Sequence, residues 1–114
     1  MELVEQLNGV VKVVTVTGRI DQTTAGVFQE KLAPWLAQSK AGEAPVMLDF
    51  SGVDYISSVG LRVLMLAAKQ VKAQQGKIAI AALTPVVTEV FQISRFHLVF
   101  PVYPDVATAV ASMS

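Results

Sequence analysis

The chain contains no cysteine, which removes disulfides, thiolate catalysis and cysteine-ligated zinc together. Histidine is nearly as scarce. His97 stands alone between Phe96 and Leu98, and the acidic residues are dispersed, so no set of metal ligands is apparent. Neither sign of charge is in excess, with nine basic and nine acidic residues and no basic run longer than two. A nucleic-acid partner would need a phosphate-neutralising footprint, and none is present. Long apolar runs are missing too. The most apolar window, Val59 to Ala68, is interrupted by Arg62 and is too short to span a bilayer, so no membrane insertion is expected. The opening "MELVEQLNG" carries Glu2 and Glu5 and lacks the basic-then-apolar order of a signal peptide. A cytoplasmic location is the expectation. Neither G-x-G-x-x-G nor G-x-x-x-x-G-K-[ST] occurs, so no nucleotide cradle and no cofactor are expected.

What is present is apolar and ordered. Hydrophobic residues make up 53% of the 114 residues and charged residues 16%, too apolar a mixture for disorder. That length predicts one domain over residues 1–114, able to bury a core without a staple. Residues 10–17, "VVKVVTVT", read as a strand buried on much of both faces. Residues 2–7 offer a weaker strand, joined to it through Asn8-Gly9 as a hairpin. Val27, Phe28, Leu32, Trp35 and Leu36 recur at helical spacing, with Pro34 predicting a kink or restart. "SKAGEAP" reads as a loop, and "VMLDF" (46–50) as a short central strand. The second helix is expected over 58–74, with Leu61, Leu64, Ala68 and Val71 on one face and Arg62, Lys69 and Ala73 on another. Gly76 would cap its end.

"KIAIAAL" (77–83) is the next strand, and Thr84-Pro85 opens a helix through about Ser94. "LVFPV" (98–102) reads as a last strand. Pro104 or Asp105 would then start a terminal helix with Val106, Ala109, Val110 and Met113 inward. Strands separated by single helices predict an α/β fold, a mixed and mostly parallel sheet of four to five strands. Its functional loops would lie at the carboxyl ends of the strands, where Asp21, Ser51 to Ser58 and Thr84 fall.

The stretch "DFSGVDYISSVGLRVL", Asp49 to Leu64, is the most distinctive. It runs from an apolar strand ending in Asp, through a glycine turn, to two serines at the mouth of an apolar helix. A Ser58–His97–Asp21 triad can be written down, but the nucleophile-elbow pattern G-x-S-x-G is missing. A strand-ending Asp49 and a turn Asp54 are explained without acid–base chemistry. Not an enzyme is therefore the expectation. For the serines two readings stand. One serine caps the helix, worth about 1 kcal/mol, or a hydroxyl accepts phosphate where the helix dipole and free amides can hold it.

Three segments carry a family resemblance: "VTVTGRIDQTTA", "MLDFSGVDYISSVGLRVLM" and "LTPVVTEVFQISRFHLVFPVYPDVATAV". In order and across the whole chain, they resemble a STAS domain of the bacterial anti-sigma factor antagonist type. The resemblance implies helices packed mainly on one face of the sheet, which periodicity alone does not require. It also implies a protein–protein switch. Such antagonists bind an anti-sigma factor, often a serine kinase, and free the sigma factor; phosphorylation at the start of the second helix breaks the complex. Carried onto this chain, the interface centres on Ser57, Ser58, Val59, Gly60 and Arg62, flanked by Arg19, Asp21, Thr23 and Thr84.

One position departs from the family pattern. The acceptor hydroxyl usually sits directly before the glycine, where this chain has Val59. Ser58 becomes the candidate acceptor, with Ser57 the alternative, and constitutive binding is the other outcome. A subunit of a lipid-trafficking transporter complex, a small hydrolase using Ser58, and self-association are the remaining alternatives.

Overall fold

The computed structural model describes residues 1–113. In chain order its elements are β1 (Glu2–Asn8), β2 (Val11–Ile20), α1 (Ala25–Gln38), β3 (Val46–Ile56), α2 (Ser58–Ala73), β4 (Ile78–Ala81), α3 (Pro85–Ile93), a 3₁₀ turn (Phe96–Leu98), β5 (Val102–Tyr103) and α4 (Val106–Met113). The five strands lie in the order β1-β2-β3-β4-β5, with β1 antiparallel to β2 and every other pair parallel. β3 is central, as its short apolar run predicts. The mixed α/β sheet expected from the sequence is the sheet observed.

Alternation along the strands divides the core in two. Val14 and Val16 of β2, with Leu48 of β3 and Ile80 of β4, face a layer formed by α1, α2 and α3. Val11, Val13, Met47 and Ala81 point the other way, onto Ala109 of α4. Three helices thus cover one face and a single short helix part of the other. Phe28 and Phe50 meet edge-on at 6.5 Å in the larger layer. Full burial of each such ring stabilises by about 1.5–3 kcal/mol.

Several expectations require correction. The hairpin loop is Gly9-Val10 rather than Asn8-Gly9, since Asn8 already pairs with Val11. Gly9 takes φ 62°, which suits the first position of a tight hairpin turn. α1 passes through Pro34 without a break. Pro34 and Glu30 are both exposed, so water can satisfy the carbonyl that the proline leaves unbonded.

"LVFPV" is not a strand. Residues 96–98 form the 3₁₀ turn, and β5 is only Val102–Tyr103. The apolar run instead reflects packing, because Phe91, Phe96 and Phe100 form a ring cluster with centroids 5.2 and 6.0 Å apart.

The most consequential correction concerns β3. Its strand does not end at Phe50 but continues to Ile56, with two register shifts against β2. Each shift adds one residue to β3, so burial there steps by three: Phe50, Val53, Ile56. Gly52 is a strand residue rather than a turn. A Cβ on it would stand 3.1 Å from both the Val16 carbonyl and the Thr17 hydroxyl. Asp49 accepts from the Ser51 amide at 3.0 Å, holding the first irregularity.

Candidate functional site

β2 and β3 end side by side, with Arg19 paired to Tyr55 and Ile20 to Ile56. Immediately beyond, the Ser57 amide donates to the Ile20 carbonyl at 2.8 Å, so the start of α2 is tied to the neighbouring strand. The Ser57 side chain caps α2 by accepting from the Gly60 amide at 3.4 Å. Gly60 lies against the strand ends. A Cβ there would fall 2.6 Å from Ile20 Cγ2 and 2.7 Å from Ile56 Cγ1. Only glycine lets the helix sit this close.

That close seating decides what reaches the surface. Ser58, the first residue of α2, is exposed, and Val59 is 43% exposed. Arg62 is exposed one turn further along. Spaced i, i+4 from Ser58, it shares that stripe of the helix. Met65 and Leu66 continue the outward face, 40% and 45% exposed. The inward face is Gly60, Val63, Leu64, Ala67 and Val71. Leu61 and Ala68, expected among the inward residues, are half-buried at its margins.

The flank on the β2 side is an ordered polar loop. Asp21 Oδ1 accepts from the Thr23 amide at 2.9 Å and from the Thr23 hydroxyl at 2.6 Å, while Arg19 Nε donates to Oδ2 at 3.0 Å. The Thr23 hydroxyl above all, then its amide and Arg19, hold the Asp21 carboxyl down at about 2 against an ordinary 3.8. The Arg19 guanidinium also stands 4.3 Å from the centroid of the Tyr55 ring, a cation–π contact. Thr24 clamps the loop from the other side, its hydroxyl donating to the Arg19 carbonyl at 2.7 Å and accepting from the Asp21 amide at 2.9 Å.

Arg19, Asp21 and Thr23 are therefore brought beside Ser57 to Arg62. Thr84 is placed differently. It occupies the N-cap position of α3 but makes no side-chain cap. Its hydroxyl donates to the Val53 carbonyl of β3 at 2.8 Å, anchoring α3 to the strand. Tyr55 and Thr24 were not singled out from the sequence. Extending β3 to Ile56 would have revealed Tyr55, since it then lies opposite Arg19 in register.

Chemically, the site offers the exposed Ser58 hydroxyl, the Arg62 guanidinium and apolar neighbours, beside the Arg19–Asp21 ion pair. Asp21 is bonded to threonines and an arginine rather than to His97, which is exposed on the 3₁₀ turn. Among the described residues no group of three or more His, Cys, Asp or Glu could hold a metal ion. Nor is any helix among them long and apolar enough to cross a membrane.

A model of the STAS domain matches residues 3–109. The chain belongs to the STAS domain family. Within it, the chain is 45% identical over 85 residues to BtrV of Bordetella bronchiseptica, a protein described as an anti-sigma factor antagonist, covering 75% of this chain and 71% of that one. The fold is shared with the crystal structure of an anti-sigma factor antagonist from Mycobacterium paratuberculosis, at a TM-score of 0.85 and 24% identity over 98% of this STAS domain and 92% of that chain. It is also shared with the phosphorylated form of the Bacillus cell fate determinant SpoIIAA, at a TM-score of 0.68 and 14% identity over 99% and 100% of the two chains.

Proposed function

We propose that this STAS domain is a cytoplasmic anti-sigma factor antagonist and a binding protein rather than an enzyme. It docks through the head of α2 on an anti-sigma factor of the serine-kinase type, and so frees the sigma factor. Ser58, Val59 and Arg62 form the centre of the contact, over the seat that Ser57 and Gly60 build. Arg19, Asp21 and Thr23 border it on the β2 side, and Thr84 fixes α3 at the other margin of β3. The name of the 45% identical relative supports this reading.

The observation that carries the switch is the division of labour between the serines. Ser57 spends its hydroxyl on the cap, whereas Ser58 stands exposed on the first turn of α2. Val59 has no hydroxyl to phosphorylate, so Ser58 is the acceptor. The helix N-terminus tolerates a phosphate, because its dipole and free amides favour anions. In the complex the added charge would have to be desolvated against a surface shaped for a neutral hydroxyl, and that opposes binding.

Mass spectrometry after incubation with the cognate kinase and ATP tests the assignment, with phosphate expected on Ser58. Ser58→Asp should weaken binding to the anti-sigma factor about tenfold or more, about 1.4 kcal/mol, in a folded domain. Ser58→Ala should bind normally and resist the kinase. Phosphate on Ser57 alone, or on neither serine, overturns the assignment, and the second result points to a constitutive binder.

A further inference from the structure

The opposite end of α2 borders a second feature. A groove of about 720 Å³ opens between the last turns of α2, the start of β4, the segment after the 3₁₀ turn, and the end of α4. It exists because β5 is so short. β5 pairs with β4 only at Ile80 and Ala81, so Ile78 and Ala79, paired with β3 on one side, have no strand on the other. Val71, Ile78 and Pro101 contribute to its apolar lining, and Leu98, 73% exposed, stands at its side.

Charge in this groove has one sign. Lys69, Lys72 and Lys77 line it, and among the described residues no acidic side chain does, in a chain whose charges balance at nine and nine. The ion pair seen among the described residues, Arg19 with Asp21, lies elsewhere. Among the described residues these three ammonium groups have no ion-pair partner.

We propose that this groove docks an acidic amphipathic helix of a partner protein. Apolar side chains of that helix would enter between Val71 and Leu98, and its carboxylates would meet the lysines. Lys69 and Lys72 are one turn apart on α2. That spacing matches carboxylates three or four residues apart on a helix laid alongside. The apolar lining favours a peptide over a phosphate backbone, which would use the cations and leave the lining exposed to water. Ser58 lies about 15 Å along α2 from Ala68, the nearest α2 residue of the groove, from a rise of about 1.5 Å per residue. The groove can therefore be filled while the head of the helix is occupied, and the proposal stands independently of the function assigned to that head.

The test is an NMR titration of the isotope-labelled protein with a designed helical peptide of about 18 residues, long enough to hold a helix. Its apolar face carries leucine and its polar face glutamate, and a control peptide carries lysine in place of glutamate. The glutamate peptide should shift the amides of residues 69–79, 98–100 and 102–103 and leave Ser57 to Arg62 unmoved. Binding should weaken with added salt, and by about tenfold or more in the Lys69→Glu/Lys72→Glu/Lys77→Glu variant, whose unfolding temperature should stay near that of the parent. Three results overturn the proposal: equal binding of the lysine peptide, shifts confined to the head of α2, or no shift. It is likewise overturned if laurate, phosphatidylglycerol vesicles or a second copy of the chain shifts the groove amides while the glutamate peptide does not.

Discussion

The two ends of α2 use similar residues to opposite effect. Each has a glycine pressed against another part of the chain: Gly60 on the Ile20 and Ile56 side chains, Gly76 on the Ser39 backbone. Each has polar side chains close by. At the C-terminal end Gln74 and Ser39 are consumed by the fold, while the lysines of the groove stay open. The Gln74 amide donates to the carbonyls of Leu36 and Ser39 at 2.8 and 2.7 Å, closing the end of α1. Ser39 is fully buried and donates to the Lys77 carbonyl at 3.2 Å. At the N-terminal end Ser57 is spent on a single cap, while Ser58 and Arg62 face solvent. The difference teaches where to look for function in a domain of this size. Polar groups that the fold has already satisfied are architecture, and those it holds rigidly yet leaves open are available to a partner.

The comparison breaks most visibly at the glycines. A side chain on Gly76 would drive into the carbonyl group of Ser39, which is backbone and cannot rotate aside. Gly76→Val should cost about 3 kcal/mol or more, seen as a large fall in the midpoint of urea unfolding. Trp35, the single tryptophan, serves as the reporter. Any binding lost should be explained by the unfolded fraction alone. Gly60→Val meets side chains instead, which can shift in part, so about 2–3 kcal/mol is expected. Here the folded fraction should also bind the anti-sigma factor more weakly, because the helix mouth is displaced. Equal binding per folded molecule would show that the seating of α2 does not matter to the partner.

A smaller effect tests the claim that Gln74 is architectural. Gln74→Ala leaves the Ser39 carbonyl without the donor that now satisfies it, at a cost of about 1–2 kcal/mol. Gln74→Glu should be worse than the alanine, since it places a carboxylate against two carbonyls in a partly buried site. Both follow from denaturant midpoints. If glutamate equals or exceeds alanine in stability, the Gln74 bridge is not what joins the two helix ends.

Element order was readable in the sequence because it rests on local patterns: β-branched runs for β2 and β3, helical spacing of Phe28, Leu32 and Leu36, and Thr84-Pro85 before α3. The errors fall where tertiary contacts override those patterns. Gly76 reads as a helix cap, yet the left-handed residue is Gln75, at φ 60°. The Gly76 amide bonds to the Val71 carbonyl at 2.9 Å and the Gln75 amide to that of Lys72 at 3.0 Å, so the cap itself is the usual two-bond form. Glycine is needed one residue later, for the approach of Ser39. β3 beyond Phe50 was hidden because its two irregularities replace the period of two with a period of three. Thr84 reads as a cap, and its bond to Val53 depends on a residue 31 positions away. At the site, Ser57, Ser58 and Gly60 were legible from one short motif. Tyr55 was not, because its role depends on the register between two strands.

The smallest expected effect on stability sharpens the comparison from the other side. Arg62 interrupts the most apolar stretch of the chain, where a charge persists only if its head reaches water or a partner. Arg62 is exposed, between Val59 and Leu66 on the outward face of α2. Arg62→Glu should therefore leave stability within about 0.5 kcal/mol of the parent. Reversing the charge at the proposed contact should nonetheless weaken the anti-sigma complex, with a slower association at low salt. It also places a like charge one turn from Ser58, so Ser58→Asp combined with Arg62→Glu should bind worse than either change alone. Isothermal titration of the variants against the anti-sigma factor, beside their unfolding curves, separates the two quantities. A large loss of stability in Arg62→Glu would mean that the fold uses this arginine after all. The contrast between the two ends of α2 would then fail at the residue on which it most depends.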